Sequence, residues 1–218
     1  PGKTCLSALA GSGRSDSLFA DNDSKGCGSI MRAAPVGLFY AGDPEKAFDV
    51  GCQSGRLTHG NPTGYLAAGM LSASVSLLSQ GNELADTLPE VMRILQKHEH
   101  YEGVKRAVIR AIDEAVTDRE AWRAMKRIGK GWVAEETYAL AIYCLLKTGT
   151  LKDAVIMACN QDGDSDSCGA VCGNMAGAMY GADAVPRSWS HKLECSSLVT
   201  SLAQSLFKVH EDGKEKRN

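Results

Sequence analysis

"NPTGYLAAGMLSASVSLLSQG", residues 61 to 81, is the stretch that decides the fold class. Asn61 is a favoured helix N-cap residue, and Pro62 suits the first helical position, where a missing N–H costs nothing. An uninterrupted run of apolar and small residues follows, and Gly81 is a typical helix stop. The stretch therefore predicts a helix with both of its ends marked.

The residues on either side repeat this pattern. Just before it, "DPEKAFDVGCQSGRLTH" offers Asp43 as an N-cap with Pro44 behind it. Near the start of the chain a short helix is expected at Thr4–Leu9, and the apolar segment from Gly28 to Tyr40 carries Pro35 in a helical first turn. Further helices are predicted over 83–98, 101–117, 119–129, 133–148 and 151–159.

No run of alternating β-branched residues is long enough to predict a strand. The sequence thus predicts an all-α protein: a single, compact multi-helix domain over residues 1–218. The charged ending "HEDGKEKRN" predicts a frayed tail, which we place at residues 208–218.

Composition restricts the function classes. The formal net charge of −2 gives no reason to expect a nucleic-acid partner, and no stretch has the character of a membrane span. We see no signal-peptide pattern in the first residues. The eight cysteines are scattered, partly within apolar helical patterns, which is typical of free thiols. We therefore expect a cytoplasmic protein without structural zinc or disulfides.

The most chemically loaded stretch is "NQDGDSDSCGAVCGNMAGAMYG", residues 160–181, which has three acids at alternate positions. A calcium EF-hand starting at Asp162 would need Gly at its sixth position and Glu at its twelfth, but Ser167 and Gly173 stand there. A phosphatase-type DxDx(T/S) motif fails as well, since Asp166 occupies the hydroxyl position.

Two interpretations of this acidic loop, residues 160–167, remain. Carboxylates and a hydroxyl at a helix entrance favour a hard cation such as Mg²⁺, Mn²⁺ or Ca²⁺, which would relieve their mutual repulsion. Alternatively, Asp166 or Ser167 only caps the following helix. That helix carries glycines at every fourth position, from Gly169 to Gly181, which predicts close approach of another helix.

Three other stretches are candidates for ligand contact. "DNDSKGCGSIMR", residues 21–32, is a glycine-bearing loop whose backbone N–H groups suit an anion or an ordinary helix cap equally well. Arg32 at its end fits either a buried carboxylate or a ligand. His59 follows a helix end, where a structural role is the commoner one. Glu135 and Glu136 are expected to stabilise a helix start.

Together, "GCGSIMRAAPVGL", "LTHGNPTGYLAAG", "WVAEETYALAIYCLL" and "GDSDSCGAVCGNMAGAMYG" resemble the ADP-ribosylglycohydrolase family, in that family's order and over nearly the whole chain. The resemblance implies an orthogonal all-α fold, a binuclear Mg²⁺ or Mn²⁺ centre and hydrolysis of the glycosidic bond between ADP-ribose and a side chain or small acceptor.

The resemblance also assigns residues. Asp164, Asp166 and Ser167 match the family's C-terminal metal ligands, whereas Asp162 lies where a ligand is not usual. His59 matches a histidine near the nucleotide. The segment that wraps the diphosphate and distal ribose corresponds to a ligand loop made of Lys25, Gly26, Cys27, Gly28, Ser29, Ile30 and Met31.

One feature of the family pattern is missing. Family members usually begin with a further half-domain that carries a Thr-Asp-Asp triplet and the acid that assists water attack, and this sequence has no such triplet. Three ligands from one loop cannot hold two hard cations, which prefer about six oxygens each. The sequence therefore predicts a part of a hydrolase, a chain completed by a partner or a second copy, or a non-catalytic ADP-ribose-binding relative.

Overall fold

A computed structural model describes residues 2–11 and 18–215 of the chain, with side chains as far as residue 213. Within these ranges twelve α-helices form and no strand does, so the all-α prediction is confirmed. The helices are α1 Lys3–Gly11, α2 Ala34–Phe39, α3 Pro44–Arg56, α4 Pro62–Leu78, α5 Leu84–Leu95, α6 Glu102–Ala115, α7 Ala121–Ile128, α8 Ala134–Lys147, α9 Leu151–Cys159, α10 Ser165–Tyr180, α11 Arg187–Ser190 and α12 Ser196–Glu215.

The predicted caps start α3 and α4. The Asp43 carboxylate accepts a hydrogen bond from the Lys46 N–H at 3.1 Å, and the Asn61 side chain accepts one from the Thr63 N–H at 3.0 Å. Each bond satisfies one of the N–H groups that a helix start leaves without an internal partner. These local signals fix where the two helices begin.

Helix α4 is the centre of the molecule. Nearly all of its residues are buried, and it packs against α2, α3, α5, α8 and α10. Small side chains permit this: Gly51 of α3 lies so close to Ser72 of α4 that a Cβ there would overlap it. The serines inside this core are hydrogen-bonded, as buried hydroxyls must be. Ser74 Oγ, for example, lies 2.6 Å from Tyr138 Oη of α8.

The glycine face of α10 is only half covered. A Cβ at Gly169 would overlap the Cys159 sulfur of α9, and one at Gly173 would lie 3.7 Å from Val155. A Cβ at Gly177 would have no atom of the described residues within 4 Å. The close neighbour that the stripe predicts is α9, and it contacts the half of α10 next to the acidic loop.

Two segments differ from the sequence expectation. The Gly28–Tyr40 segment is helical only from Ala34, because Cys27–Ser29 forms a 3₁₀ turn instead. The frayed tail expected over 208–218 is not seen in its first part, since α12 continues as helix to Glu215. His210 Nδ1 lies 2.7 Å from the Phe39 carbonyl oxygen and links α12 to α2. Residues 216–218 lie outside the described ranges.

In the part of the chain that the structure covers, no helix is both long enough and apolar enough to span a membrane.

Candidate functional site

A short strip, residues 130–134, which leads into the start of α8, joins the ligand loop to the acidic loop. On one side, the Cys27 N–H donates to the Trp132 carbonyl at 3.2 Å, and the Ala134 N–H donates to the Lys25 carbonyl at 2.9 Å. On the other side, the Asp164 N–H donates to the Lys130 carbonyl at 2.7 Å. The strip thus holds both loops by backbone hydrogen bonds, which do not depend on side-chain rotamers.

The two loops meet at Cys27. Its thiol donates to Asp164 Oδ2 at 2.8 Å across 137 residues of sequence, and its sulfur lies 3.4 Å from Ser167 Oγ. Burial, reinforced by the hydrogen bond to Asp164, raises the pKa of the Cys27 thiol to about 11. Burial also acts to raise the pKa of Asp164, but hydrogen bonds with Cys27 and Ser167 hold that pKa below its usual value. The carboxylate therefore stays ionised in a largely buried position.

The alternative in which Asp166 or Ser167 merely caps α10 is wrong. The residue at the N-cap position is Asp164, and its side chain makes no capping hydrogen bond. Asp166 is exposed in the first turn, whereas Ser167 is buried beside Cys27. Asp164 and Ser167 therefore face the ligand loop, where both contact Cys27.

The acidic loop offers the kind of donors that a hard cation takes, namely two carboxylates and a hydroxyl. Asp164 is hydrogen-bonded with Ser167 and its side chain lies close to that of Asp166, so these oxygens converge. Within residues 2–11 and 18–215, however, no group of three or more His, Cys, Asp or Glu side chains is arranged to hold a metal ion. The residues present fit part of a Mg²⁺ or Mn²⁺ site. They could supply about three of the six oxygen ligands that one such cation prefers.

The ligand loop divides into anchoring and outward-facing residues. Ser29 is buried and its hydroxyl donates to the Gly64 carbonyl at 3.0 Å, while Ile30 is fully buried in the core. These two side chains fix the loop against α4 and do not line an open surface. Lys25 and Met31 face outward, with Met31 37% exposed.

Glu135 and Glu136 have different roles, which the sequence did not separate. Glu136 Oε2 accepts from the N–H groups of Lys130 at 2.9 Å and Gly131 at 3.1 Å, and so supports the strip. Glu135 pairs with Lys25 of the ligand loop, and its Oε2 atom is buried with no partner among the described residues. No local signal identifies Glu135 as a site residue, because Lys25 lies 110 residues away.

His59 lies against the glycines of the ligand loop. A Cβ added at Gly26 would be 3.4 Å from His59 Nε2, and one at Gly28 would be 3.3 Å from Cε1. The imidazole is only 1% exposed, and burial, with a smaller contribution from the Arg32 charge, lowers its pKa to about 4. Arg32 itself donates to the Gly28 and Ser54 carbonyls, so it anchors backbone, and no carboxylate partner for it is found among the described residues.

Comparisons with known proteins give the relatives of this chain. The ADP-ribosylglycohydrolase family model matches residues 1–216. The human ADP-ribosylhydrolase ARH3 is 28% identical over 222 residues, covering 88% of this chain and 60% of that protein. The ADP-ribosyl-[dinitrogen reductase] glycohydrolase of Rhodospirillum rubrum is 27% identical, covering 84% of this chain and 55% of that protein. The chain thus spans somewhat more than half the length of these relatives.

A solved structure described as an ADP-ribosylglycohydrolase-related protein complex has the same fold, with a TM-score of 0.78 at 23% identity. The match covers 96% of this chain and 69% of that one. Fold, motif order and the family model all give the same result: the chain belongs to the ADP-ribosylglycohydrolase family.

Proposed function

We propose that this chain forms the nucleotide-binding and C-terminal metal-binding part of a hydrolase that cleaves the glycosidic bond between ADP-ribose and a protein side chain or small acceptor. The observation that carries this proposal is the contact of Cys27 with Asp164 and Ser167, 3.4 Å or less from each oxygen. It places a glycine-bearing loop suited to a diphosphate directly beside the acids, where the reacting ribose would lie.

Asp164, Asp166 and Ser167 would hold Mg²⁺ or Mn²⁺, which would supply Lewis-acid polarisation of ribose oxygens and a positioned water. The residues of this chain supply binding and orientation. The ligand loop approaches the diphosphate through its glycines, with Lys25 kept beside it by Glu135. Further oxygen ligands would come from outside the residues present, either from more chain or from a partner or second copy.

We place the protein in the reducing cytoplasm. All eight cysteines are free, and burial, with the nearby Cys159, raises the pKa of the Cys172 thiol to about 12. Such protonated, enclosed thiols behave as small apolar side chains and do not need an oxidising compartment. Neither the charge nor the site suggests a nucleic-acid polymer or a membrane as partner.

A second candidate function is ADP-ribose binding without hydrolysis. It is favoured by the arrangement of Glu135, an acid that contacts the ligand loop through Lys25. One of its oxygens pairs with Lys25 and the other is buried, so this acid holds the loop and is enclosed away from solvent. Binding and turnover must therefore be measured separately.

The experiment is calorimetric titration of ADP-ribose into the whole chain with and without Mg²⁺, for the wild type and Asp164→Asn/Asp166→Asn. We expect Mg²⁺-dependent binding that weakens at least tenfold in the double variant, because charge-assisted contacts to the cation are lost. Asp162→Asn is the matched control, since it removes an exposed acid from the same loop.

Release of ADP-ribose from an ADP-ribosylated protein is then followed by chromatography. Turnover that needs Mg²⁺ and both acids supports the hydrolase, whereas binding without turnover supports the binding module. Mg²⁺-independent binding that is equal in all three proteins would contradict the assignment of the acidic loop as a metal site.

A further inference from the structure

A chain of three polar side chains ends at the imidazole of His59. Arg32 Nη2 donates to Thr58 Oγ1 at 2.7 Å, and Thr58 Oγ1 lies 2.7 Å from His59 Nδ1. Both Thr58 and His59 are buried, and no other acceptor for the Thr58 hydroxyl is found among the described residues. The proton positions in this chain can therefore be deduced from donor and acceptor chemistry.

A guanidinium group has only donors, so Thr58 Oγ must accept from Arg32. The single hydroxyl proton of Thr58 is then left for His59 Nδ1, which must act as the acceptor. A neutral imidazole with an unprotonated Nδ1 carries its proton on Nε2. The opposite tautomer would give Thr58 two incoming N–H donors and leave its own proton buried without an acceptor.

Arg32 is well placed to hold this arrangement. It also donates to the Gly28 carbonyl of the ligand loop and to the Ser54 carbonyl of α3, each at 2.8 Å. Three acceptors from three parts of the chain fix the guanidinium plane. Its charge, next to a buried imidazole, also opposes protonation of that ring.

The opposite edge of the ring faces the ligand loop. His59 Nε2 would lie 3.4 Å from a Cβ at Gly26 and 3.6 Å from one at Gly28, and no hydrogen-bond partner for it is found in the described residues. Glycine at these two positions leaves room for the ring edge beside the backbone. An N–H on Nε2 would thus be available next to the loop.

We propose that Arg32 and Thr58 are positioning residues that hold His59 as its Nε2–H tautomer, so that the ligand loop presents a fixed neutral donor to a diphosphate oxygen. The ligand in this inference rests on the proposed function, but the tautomer does not. Arg32 and Thr58 act through His59 and need not touch the ligand themselves.

The test is the two-bond ¹H–¹⁵N correlation pattern of the imidazoles at pH 7, which distinguishes Nδ1–H, Nε2–H and doubly protonated rings. The signal missing from His59→Gln identifies the ring. We expect the Nε2–H pattern in the wild type and in Thr58→Ser, which keeps the hydroxyl. Thr58→Val, of nearly equal volume, should show a mixture of tautomers and bind ADP-ribose about tenfold more weakly.

Thr87→Val is the matched control, because Thr87 is another buried threonine and its hydroxyl has no partner among the described residues. It should change neither the spectrum of His59 nor ADP-ribose affinity. An Nδ1–H or doubly protonated ring in the wild type would overturn the proposed role of Arg32 and Thr58, even if Thr58→Val fails to fold. So would an unchanged Nε2–H pattern in Thr58→Val. The expected tautomer without any ADP-ribose binding would instead overturn the proposed function.

Discussion

His59 shows how a single side chain can be kept neutral by its surroundings. The ring is enclosed by the ligand loop and Thr58, and among the described residues the charge that acts on it is the guanidinium of Arg32. Both enclosure and a like charge penalise the imidazolium form. A neutral ring can donate or accept one hydrogen bond at each nitrogen without competing electrostatically with a bound cation.

This enclosure predicts a pH dependence of stability. The pKa of His59 falls from the ordinary 6.5 to about 4 in the folded chain, so between these values the unfolded state binds more protons. We expect the free energy of unfolding to fall as the pH drops from about 6.5 to about 4, and this contribution to level off below. Urea unfolding across this range measures it.

His59→Gln is the comparison for that experiment, because glutamine keeps polar atoms but does not titrate. The difference between wild type and variant should be constant above pH 7 and change between pH 6.5 and 4, which separates His59 from every other titrating group. Parallel curves through this window would show that His59 titrates normally.

At the residue scale, the sequence identifies the chemical groups of the site but not their contacts. Asp164 and His59 stand out by residue type and by the motifs around them. The contact between Cys27 and Asp164 does not, because 137 residues separate them and nothing local requires it. Glu135 and Glu136 are adjacent in the first turn of the same helix. Only the tertiary packing determines that Glu135 pairs with Lys25 and that Glu136 bonds to the strip.

At the element scale, the glycine face of α10 is covered at the end next to the acidic loop and open at the other end. Its first half presents the acidic loop and packs closely on α9 through Gly169. In its second half, a Cβ at Gly177 on the same face would have no atom of the described residues within 4 Å. Identical residues on one helix face therefore have different energetic roles.

Substitution by alanine should distinguish the two glycines. Gly169→Ala should destabilise the fold by about 1–3 kcal/mol, because the new methyl group would overlap the Cys159 sulfur. Gly177→Ala should stabilise it by about 0.5–1 kcal/mol, since the helix gains propensity without a clash. Chemical denaturation of both variants gives the two values. A destabilised Gly177→Ala would mean that another surface covers this position.

Element boundaries were predictable where a cap fixes them. Asp43 and Asn61 each accept a hydrogen bond from the first turn of the helix that their sequence predicts. The glycine stripe predicted that another helix packs closely against α10. It did not predict how much of the stripe that helix covers, because this depends on where α9 ends. The sequence did not predict that α12 would continue as helix into the charged tail. Its link to α2 through His210 is a tertiary contact.

At the scale of the whole molecule, α12 is peripheral. Leu198, Leu202 and Val209 are each more than half exposed, and its main packing partner is α2. A chain ending at Lys192 should therefore keep its cooperative unfolding, with the midpoint of thermal unfolding lowered by only a few degrees. Calorimetry measures this, with His210→Ala as the control that removes only the bond to Phe39. Loss of the cooperative transition would mean that α12 is an integral part of the core.

The strip at residues 130–134 has a consequence for folding kinetics. Two of its hydrogen bonds join segments more than 100 residues apart, since Cys27 bonds to Trp132, and Ala134 bonds to Lys25. Loop-closure entropy makes such distant pairings slow to form, and they are retained only when most of the chain is already ordered. The Ala134 amide proton is therefore protected from solvent exchange by the entire fold, whereas the Lys130 and Gly131 amides are held by the nearby Glu136. Formation of the candidate site would therefore indicate that the whole chain is folded, because a partly folded chain would not bring the ligand loop and the acidic loop together.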